Sequence, residues 1–345
     1  MGADMQRGQM AITLKDVAER AGVSRAAVSR SFTPGASVSA KTRTKVELAA
    51  AELGYSPNML ASSLTTRRTK LIGLVSNNFH NPVFLQIFDQ FTKGLQEQGL
   101  RPLLVNLSEE TDPARSVQLL RSYSVDAVIV ASSELPDGFA AAFVAAGIPV
   151  VHAFGRAGPA RDVNVVGIDN IQAGRLAAQT LIARGYTRLG FMGGPEGAST
   201  TQDRMEGFLA VTSRHAEVTA TISFAGAYRF EAGRSEMARL LNHHPAEAYF
   251  CADDVLSIGA LSAATEAGLR VPQDLGLIGL NDMEMAGWAN INLTTIHQPF
   301  DAMIRLSVDL MLATLADPSR LPEARILPCR IVERATLRPL PPAGV

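Results

Sequence analysis

The chain has 345 residues, of which 47% are hydrophobic and 19% are charged. A chain of this length is expected to form two or three domains, and its balance of residue types is that of an ordinary globular protein. It contains no run of about eighteen consecutive apolar residues, so we predict no membrane-spanning helix. The formal net charge of −1 conceals an uneven distribution, because residues 1–70 carry a net charge of +6 and the remainder −7.

The N-terminus and the two cysteines indicate the cellular compartment of the protein. Residues 1–12 lack the apolar core of a signal peptide and are predicted to form a disordered extension. Cys251 and Cys329 lie far apart in apolar, strand-like segments, which predicts buried free thiols rather than a disulfide or a metal site. Together these features predict a cytoplasmic protein.

Residues 13–56 contain three predicted helices, each preceded by a residue that can cap a helix N-terminus. Gly22 lies between the first two helices, where a left-handed residue allows a tight corner, and Gly54 follows the third. The second helix runs from Arg25 to about Phe32, and the third from Ala40 to Leu53. The capping residues are Thr13, Ser24 and Ser39. This pattern predicts a helix-turn-helix with a supporting third helix.

Two helices around a glycine turn also occur in proteins that do not bind DNA, so the motif alone does not decide its role. The charge of the segment favours DNA. Residues 1–70 carry 11 Lys and Arg against 5 Asp and Glu, whereas the remainder carries 21 against 28. Binding to phosphate groups requires such a local basic excess. We therefore interpret residues 13–56 as a DNA-binding domain.

Motifs along the whole chain point to a family. The N-terminal motifs are DVAERAGVS, VSR, VSAKTR and LGYSPN, and the later ones are NPVF at 81–84, RGYTRLGFMGG at 184–194, DRMEGF at 203–208, FCADD at 250–254, LTTIHQP at 293–299 and VERAT at 332–336. The chain closely resembles, from residue 12 to 338, the lactose/galactose repressor family of bacterial transcription regulators. The resemblance implies an operator-specific regulator, usually a repressor, whose DNA affinity is controlled by a small ligand.

Residues 57–70 join the DNA-binding domain to the rest of the chain. Pro57 suits the first turn of a helix, but the segment is under three turns long and rich in Asn, Ser and Thr, which form helices poorly. One interpretation is a flexible linker. The other is a hinge helix that forms only on operator DNA, in which Leu64 would wedge between base steps in the minor groove. By resemblance, Ala61 and Leu64 occupy the minor-groove positions.

From Leu71 onward, short apolar segments alternate with amphipathic ones, which is typical of βαβ units in an open, mostly parallel sheet. The pattern repeats, so residues 71–340 are predicted to form a two-lobed α/β core like that of periplasmic binding proteins. The predicted first lobe comprises about residues 71–162 and 298–324, and the second about 163–292 and 325–338. A ligand is expected in the cleft between the lobes, because parallel sheets bind ligands beyond the carboxyl ends of their strands.

Six residues are candidates for contacting that ligand, namely Asn78, Phe84, Arg204, Tyr228, Asp253 and Asn281. Arg204 matches the family's effector-binding arginine, and a guanidinium suits vicinal hydroxyls or a carboxylate. The alternative for Arg204 is a surface ion pair with Asp203 or Glu206. Phe84 is either an aromatic surface for the C–H face of a sugar or a core residue. Tyr228 aligns with a family aromatic that stacks on ligand, or else is a residue at the edge of a lobe.

Asp253 and Asn281 end two predicted strands and, by resemblance, form hydrogen bonds with the ligand. Here the chain departs from the family pattern, in which Asn is commoner at 253 and Asp at 281. The identity of a particular sugar therefore cannot be transferred to this chain. The segment HAFGRAG at 152–158 does not align cleanly with the family, and we assign no role to Phe154 or Arg156.

The second helix supplies the candidate contacts to DNA. Arg25, Ala26 and Arg30 are expected in the major groove, because arginine pairs bidentately with guanine and alanine can contact a thymine methyl group. Contacts to the phosphate backbone are expected from Ser24, Ser29, Lys41, Arg43 and Lys45. The family implies palindromic half-sites that are read by two subunits.

Enzymatic and other binding functions have weaker support. The glycine-rich turn at 193–197 lacks the features of a nucleotide-binding loop, and His243-His244 has no partner at metal-ligand spacing, so no cofactor or metal is predicted. No Ser/His/Asp grouping stands out, and we expect no enzymatic activity. The alternatives are a solute-binding protein and a sugar-acting enzyme fused to a DNA-binding domain.

The predicted partners are double-stranded operator DNA, a small effector (a sugar, polyol or sugar acid) and a second copy of the chain. The tail RPLPPAGV favours a homodimer over a tetramer, because it contains no leucine heptad. Whether the ligand releases DNA or promotes DNA binding is left open by the sequence.

Overall fold

A computed structural model describes residues 12–33, 35–56, 68–107, 112–132, 135, 138–156, 162–243 and 245–341. The chain divides into two compact units, Met1–Thr69 and Lys70–Val345. Most of the predicted N-terminal extension lies outside the described residues. The same holds for most of the predicted linker, including the candidate minor-groove residues Ala61 and Leu64.

The described part of the N-terminal unit contains the three predicted helices, which are α1 (Leu14–Ala21), α2 (Arg25–Ser31) and α3 (Ala40–Leu53). Helix α1 begins with a capping box, in which the side chains of Thr13 and Asp16 each accept a hydrogen bond from the other residue's backbone N–H. Gly22 follows with a φ of 63°, the left-handed conformation that the corner requires. Each helix contributes one valine to a small core, namely Val17, Val28 and Val46.

The first sheet of the C-terminal unit is six-stranded and parallel throughout. Its strands are β1 (Leu71–Ser76), β2 (Arg101–Asn106), β3 (Ala127–Ala131), β4 (Val150–Ala153), β5 (Asn164–Ile168) and β11 (Ala324–Leu327). Their order is β11-β5-β4-β3-β1-β2. The helices that pack with this sheet are α4 (Val83–Glu97), α5 (Pro113–Ser122), α6 (Phe139–Ala145) and α11 (Phe300–Ala316). This sheet and its helices form the first lobe.

The second lobe repeats this plan. Its strands are β6 (Arg188–Gly193), β7 (Thr219–Phe224), β8 (Ala248–Cys251), β9 (Gly276–Asn281), β10 (Thr295–His297) and β12 (Arg330–Val332). Their order is β12-β10-β9-β8-β6-β7, and only β12 runs antiparallel to its neighbour. Its helices are α7 (Asn170–Ile182), α8 (Ser199–Thr212), α9 (Phe230–Leu241) and α10 (Asp254–Glu266). Among the helices of the described ranges, none is long and apolar enough to cross a bilayer.

The lobe boundaries differ from the predicted ones at two places. The sequence predicts that the second lobe begins at residue 163, but β5 pairs with β4 in the first sheet. Residues from 325 onward are likewise predicted to close the second lobe, whereas β11 pairs with β5 in the first sheet. The chain therefore first crosses from the first lobe to the second after β5, at Asp169, which we call the first crossover. Periodicity identifies a strand but not the sheet that it joins, because strand pairing depends on residues distant in sequence.

Helices α7 and α8 pack with their backbones in close contact. A Cβ atom at Gly174 would lie 2.0 Å from the carbonyl oxygen of Arg204, and one at Gly207 would lie 1.9 Å from that of Ile171. Only glycine fits at both positions, because any side chain would overlap the opposite backbone. This packing fixes α8, and with it Arg204, against the helix that follows the first crossover.

Candidate functional site

The cleft between the two lobes contains a pocket with about 480 Å³ of empty space, part of it open to solvent. The part of this space that a water molecule can enter is about 40 Å³, so in this closed arrangement the pocket holds a few water molecules, and a sugar-sized ligand requires the lobes to separate. The pocket lies beyond the carboxyl ends of strands from both sheets, where the sequence predicts it. Its lining includes all six candidate effector residues, namely Asn78, Phe84, Arg204, Tyr228, Asp253 and Asn281.

Arg204 lies in the middle of α8, which starts five residues earlier than the sequence predicts, at Ser199. Its side chain is buried, its Nε donates to Oδ1 of Asn170 at 2.8 Å, and its Nη1 donates to the carbonyl oxygen of Ala252 at 2.7 Å. Asp203 instead pairs with Arg156. The alternative interpretation of Arg204 as a surface ion-pair residue is therefore wrong. Two of the five N–H donors of its guanidinium hold it at the edge of the pocket.

Asp253 accepts hydrogen bonds from three directions. Its Oδ1 caps α10 by accepting from the backbone N–H of Val255 at 2.8 Å. Its Oδ2 accepts from Nδ2 of Asn81 at 2.9 Å and from Nδ2 of Asn281 at 2.8 Å. Burial raises the pKa of this carboxyl group to about 6, although the surrounding donors and Arg204 favour the charged form. Asn81 belongs to the first lobe, so this carboxylate links the two lobes.

The contact between Asp253 and Asn281 shows how the pocket accommodates residue types that depart from the family pattern. A carboxylate acceptor and an amide donor form one hydrogen bond whichever position carries the carboxylate. Exchanging Asn and Asp between the two positions therefore keeps one charge and one bond in the same place. Asn281 in turn accepts a hydrogen bond at 2.6 Å from Nε2 of Gln298, which extends the polar chain toward α11.

Tyr228 lies inside the pocket rather than at the edge of a lobe. It is 3% exposed, and its hydroxyl lies 2.7 Å from Oγ1 of Thr201. Burial raises the pKa of the phenol, so it remains protonated at neutral pH. Gly194 makes room for the ring, because a Cβ atom there would lie 2.5 Å from it. The ring is therefore placed where it can contact a ligand, and stacking on a ligand stays a prediction.

Three phenylalanines form the apolar wall of the pocket. The ring centroids of Phe84 and Phe154 lie 6.4 Å apart, and those of Phe154 and Phe300 lie 5.8 Å apart, both in edge-on arrangements. Phe84 is both a buried core residue and a lining residue, so its two predicted interpretations are compatible. Phe154, to which the sequence assigned no role, is central to the wall and has a φ of 66°. This conformation is rare for an aromatic residue and occurs preferentially at functional sites.

The pocket also contains polar residues that sequence reasoning missed, namely Asn81, Asn170, Thr200 and Gln298. Asn81 and Gln298 lie in the motifs NPVF and LTTIHQP, so the resemblance contained the signal that was needed to find them. Asn170 follows Asp169 at the crossover, and its role depends on the position of Arg204 in the neighbouring helix. Local sequence alone does not bring these residues together.

A second buried carboxyl group, that of Asp254, supports the pocket from the residue next to Asp253. Asp254 is fully buried and accepts hydrogen bonds from the backbone N–H of Met283 at 2.8 Å and from the hydroxyl of Thr295. Burial is the main reason that its pKa is raised to about 7. These bonds tie the start of α10 to β10 and to the segment after β9. They thereby position the strand ends that carry Asp253 and Asn281.

In the N-terminal unit, α2 presents the predicted DNA-contacting residues on one exposed face. These residues are Ser24, Arg25, Ala26, Ser29 and Arg30. Ser24 caps the helix by accepting from the backbone N–H of Ala27 at 3.2 Å. Val28 and Ser31 point into the core. Arg43 is predicted to contact phosphate, but its guanidinium donates to the carbonyl oxygen of Ser31 and so holds α2 against α3.

Two regions of the chain match known protein families. Residues 13–58 match the family described as bacterial regulatory proteins, lacI family, and residues 178–337 match a periplasmic binding protein-like domain. The HTH-type transcriptional repressor PurR of Klebsiella pneumoniae subsp. pneumoniae is 33% identical over 331 residues, covering 94% of this chain and 96% of PurR. The chain belongs to the lacI family of bacterial regulatory proteins.

Two solved structures of transcription regulators share the architecture of this lacI-family chain. One is the lac repressor dimer bound to operator and the anti-inducer ONPF, with a TM-score of 0.84 and 28% identity, covering 95% of this chain and 99% of that chain. The other is the transcriptional regulator CelR in complex with cellobiose, with a TM-score of 0.71 and 29% identity, covering 94% of this chain and 99% of that chain.

The predicted fold and general function of this lacI-family protein are therefore confirmed. It combines an N-terminal helix-turn-helix with a two-lobed core of mostly parallel α/β sheets, and it is a DNA-binding transcription regulator under the control of a small ligand. Its relatives are transcriptional repressors, which favours this function over the solute-binding and enzymatic alternatives. The residue-level contacts to DNA and effector stay predictions.

Proposed function

We propose that this lacI-family regulator is a repressor that binds a palindromic operator as a homodimer and responds to a sugar or sugar derivative in the cleft. The single observation that carries the ligand proposal is the hydrogen-bonded chain of Asn81, Asp253, Asn281 and Gln298, which lines the same pocket as three phenylalanines. A sugar ring combines hydroxyl groups along its edge with C–H groups on its faces. A pocket with a polar side and an aromatic side complements both.

The charges of the pocket favour a neutral ligand over an anionic one. The charged side chains among its lining residues are Arg204 and Asp253, which carry opposite signs. An anionic sugar acid would gain from the guanidinium but would meet the carboxylate a short distance away, whereas hydroxyl groups can donate to one and accept from the other. We therefore place neutral sugars and polyols ahead of sugar acids as effectors.

The proposed DNA contacts rest on the exposed face of α2. Its cap residue Ser24 and the N-terminal residues Arg25 and Ala26 lie at the positive end of the helix dipole, which suits contact with DNA phosphates and bases. Ser29 and Arg30 extend the same face by one turn. Ala61 and Leu64 remain the proposed minor-groove contacts. The lac repressor structure contains a dimer on operator, which supports a dimeric reader of two half-sites.

A thermal-shift screen on the full chain tests the ligand proposal. The panel contains neutral monosaccharides, disaccharides including cellobiose, polyols, sugar acids and nucleobases, and positive results are confirmed by calorimetry. We expect a neutral sugar or polyol to raise Tm and the Arg204→Gln variant to lose that shift. The control is Arg239→Gln, which removes an ion pair with Glu236 that lies within α9 and away from the pocket. A shift with nucleobases or sugar acids alone would overturn the neutral-sugar proposal.

The DNA proposal is tested separately with duplexes selected from a random library by the full chain. We expect enrichment of a palindrome, binding of two chains per duplex, and weaker binding to a scrambled duplex at the same salt concentration. The identified effector must change operator affinity, and operator must change effector affinity by the same factor. Equal, salt-sensitive binding to palindrome and scramble would refute sequence-specific regulation.

A further inference from the structure

An ion pair joins the two lobes next to the pocket. Arg156 follows β4 of the first lobe, and Asp203 lies on α8 of the second. The Nε of Arg156 donates to Oδ2 of Asp203 at 3.0 Å, and its Nη2 donates to Oδ1 of the same carboxylate. Nη2 also donates to the carbonyl oxygen of Ser199 at 3.2 Å. A bidentate guanidinium–carboxylate pair of this kind has a defined geometry as well as charge attraction.

The arginine end of this pair is held by a tightly packed turn. The backbone N–H of Phe154 donates to the carbonyl oxygen of Val166 at 2.8 Å, which ties the turn to β5. A Cβ atom at Gly155 would lie 2.5 Å from the ring of His152, and one at Gly167 would lie 2.8 Å from the carbonyl oxygen of Gly155. Glycine at these two positions lets the turn pack closely against β5, and Arg156 follows this turn directly.

The carboxylate end is held equally firmly. Asp203 lies on α8, and the close packing of Gly174 and Gly207 fixes α8 against α7. The Asp203 side chain is 13% exposed, whereas that of Arg156 is 44% exposed. The pair is therefore partly shielded from solvent, which strengthens it relative to a surface ion pair. Its sequence neighbours Phe154 and Arg204 line the pocket, which places the pair at the pocket rim.

We infer that Arg156 and Asp203 form a clasp that holds the two lobes closed over the pocket. Each partner is fixed to a different lobe, so the pair breaks when the lobes separate. Inside the pocket, the bond between Asn81 and Asp253 also links the lobes, but its donor is a neutral amide. The clasp differs in being a bidentate pair between two charged groups. Its opening precedes ligand entry or release. This inference concerns lobe closure and holds whatever the chemical class of the effector.

A distance measurement on the full chain tests the clasp without any ligand. Spin labels are attached at Ser122→Cys on α5 of the first lobe and Ser235→Cys on α9 of the second, both of which are exposed positions. Cys329→Ser removes the more accessible native thiol, and Cys251 is fully buried. Pulsed electron spin resonance then gives the distribution of distances between the lobes, from which the ratio of open to closed molecules is obtained.

We expect Arg156→Gln and Asp203→Asn each to raise that ratio by roughly fivefold or more. The double variant should match the single variants, because removing either partner already breaks the clasp. Arg239→Gln, which breaks an ion pair within α9, should leave the distribution unchanged. Raising the ionic strength from about 0.05 M to about 0.5 M should open the unsubstituted protein and not Arg156→Gln. Unchanged distances in both single variants, or opening of the double variant by the product of the single effects, would overturn the inference.

Discussion

Replacing Asp254 with asparagine probes the buried carboxyl group that supports the effector pocket. Asp254 is fully buried and accepts hydrogen bonds from the backbone N–H of Met283 and the hydroxyl of Thr295. Burial, and to a smaller degree the neighbouring carboxylates of Asp253 and Asp282, raise its pKa from 3.8 to about 7. The charged form is therefore disfavoured in the folded protein relative to the unfolded chain.

The sign of the pH dependence follows from this raised pKa. Well below about pH 4 the group is protonated in both states, and its burial has no effect on stability through charge. As the pH rises from about 4 to about 7, the unfolded chain releases the proton first, so the folded protein loses stability. A shift of about 3 pKa units corresponds to about 4 kcal/mol in total. Of this, about 2–3 kcal/mol is lost between pH 5 and pH 8.

Asparagine has nearly the same shape and no charge. Its carbonyl oxygen can accept from Met283, and its amide can donate to the hydroxyl of Thr295. The quantity to compare is the unfolding free energy of Asp254→Asn minus that of the unsubstituted protein. We therefore expect this difference to rise by about 2–3 kcal/mol between pH 5 and pH 8. Urea unfolding at several pH values, followed by the fluorescence of Trp288, the single tryptophan, measures this difference.

The matched control is Asp274→Asn. Asp274 is exposed, and hydrogen bonds from Arg270 lower its pKa to about 2, so it is ionised in both states throughout this range. Its difference curve should be flat between about pH 5 and about pH 8. A flat curve for Asp254→Asn as well would show that the buried carboxyl group is ionised without penalty, which would refute a raised pKa for Asp254.

Substitutions in other parts of the protein test local geometry. Arg25→Ala should weaken binding to the selected operator about 5- to 150-fold in an anisotropy assay and spare a scrambled duplex, and an equal loss on both would contradict a base contact. Gly207→Ala places a methyl carbon against the carbonyl oxygen of Ile171 and should destabilise the fold by about 3 kcal/mol or more, so an unchanged Tm would refute the close helix packing. Tyr228→Phe removes the hydroxyl bonded to Thr201 and should lower the unfolding free energy by about 0.5–1.5 kcal/mol, and a neutral effect would contradict that bond.

The helix-turn-helix could be predicted nearly to the residue, because its boundaries depend on local chemistry. Thr13, Ser24 and Ser39 each accept a hydrogen bond from a backbone N–H within their own first turn. Gly22 and Gly54 adopt positive φ at the helix ends. Such signals act over three or four residues and are readable in one sequence. The internal bond of Arg43 was not readable, since it joins residues on two helices.

The presence of two α/β lobes could be predicted from the sequence, but the assignment of every strand to its lobe could not. The alternation of apolar segments and helices identified βαβ units, yet β5 and β11 have the same character as strands of the second lobe. Both are placed in the first sheet by pairing across long sequence separations, of which Ala324 with Val165 is an example. Nothing within either strand specifies its partner.

Pocket residues that follow the end of a strand could be predicted from the sequence. Pocket residues that come together only through contacts between loops were missed. Asp253 and Asn281 follow buried strands, so their positions indicated a site. Phe154 also follows a buried strand, but the apparent misalignment of its segment hid it. Gln298 could not be identified from the sequence, because its place in the pocket depends on how the segment after β10 passes the end of β9.

The hydrogen bonds of the pocket also constrain what the effector must do. The lobes are already bridged by Asn81 with Asp253 and by Arg156 with Asp203. A ligand changes the balance of open and closed forms only through a difference in its affinity for them. A group that merely displaced Asn81 would exchange one bond for another and shift little. An effector that favours the closed form therefore has to contact both lobes at once. A compact ring whose hydroxyl groups reached Arg204 and Asn78 while its face met the phenylalanine wall would satisfy that condition.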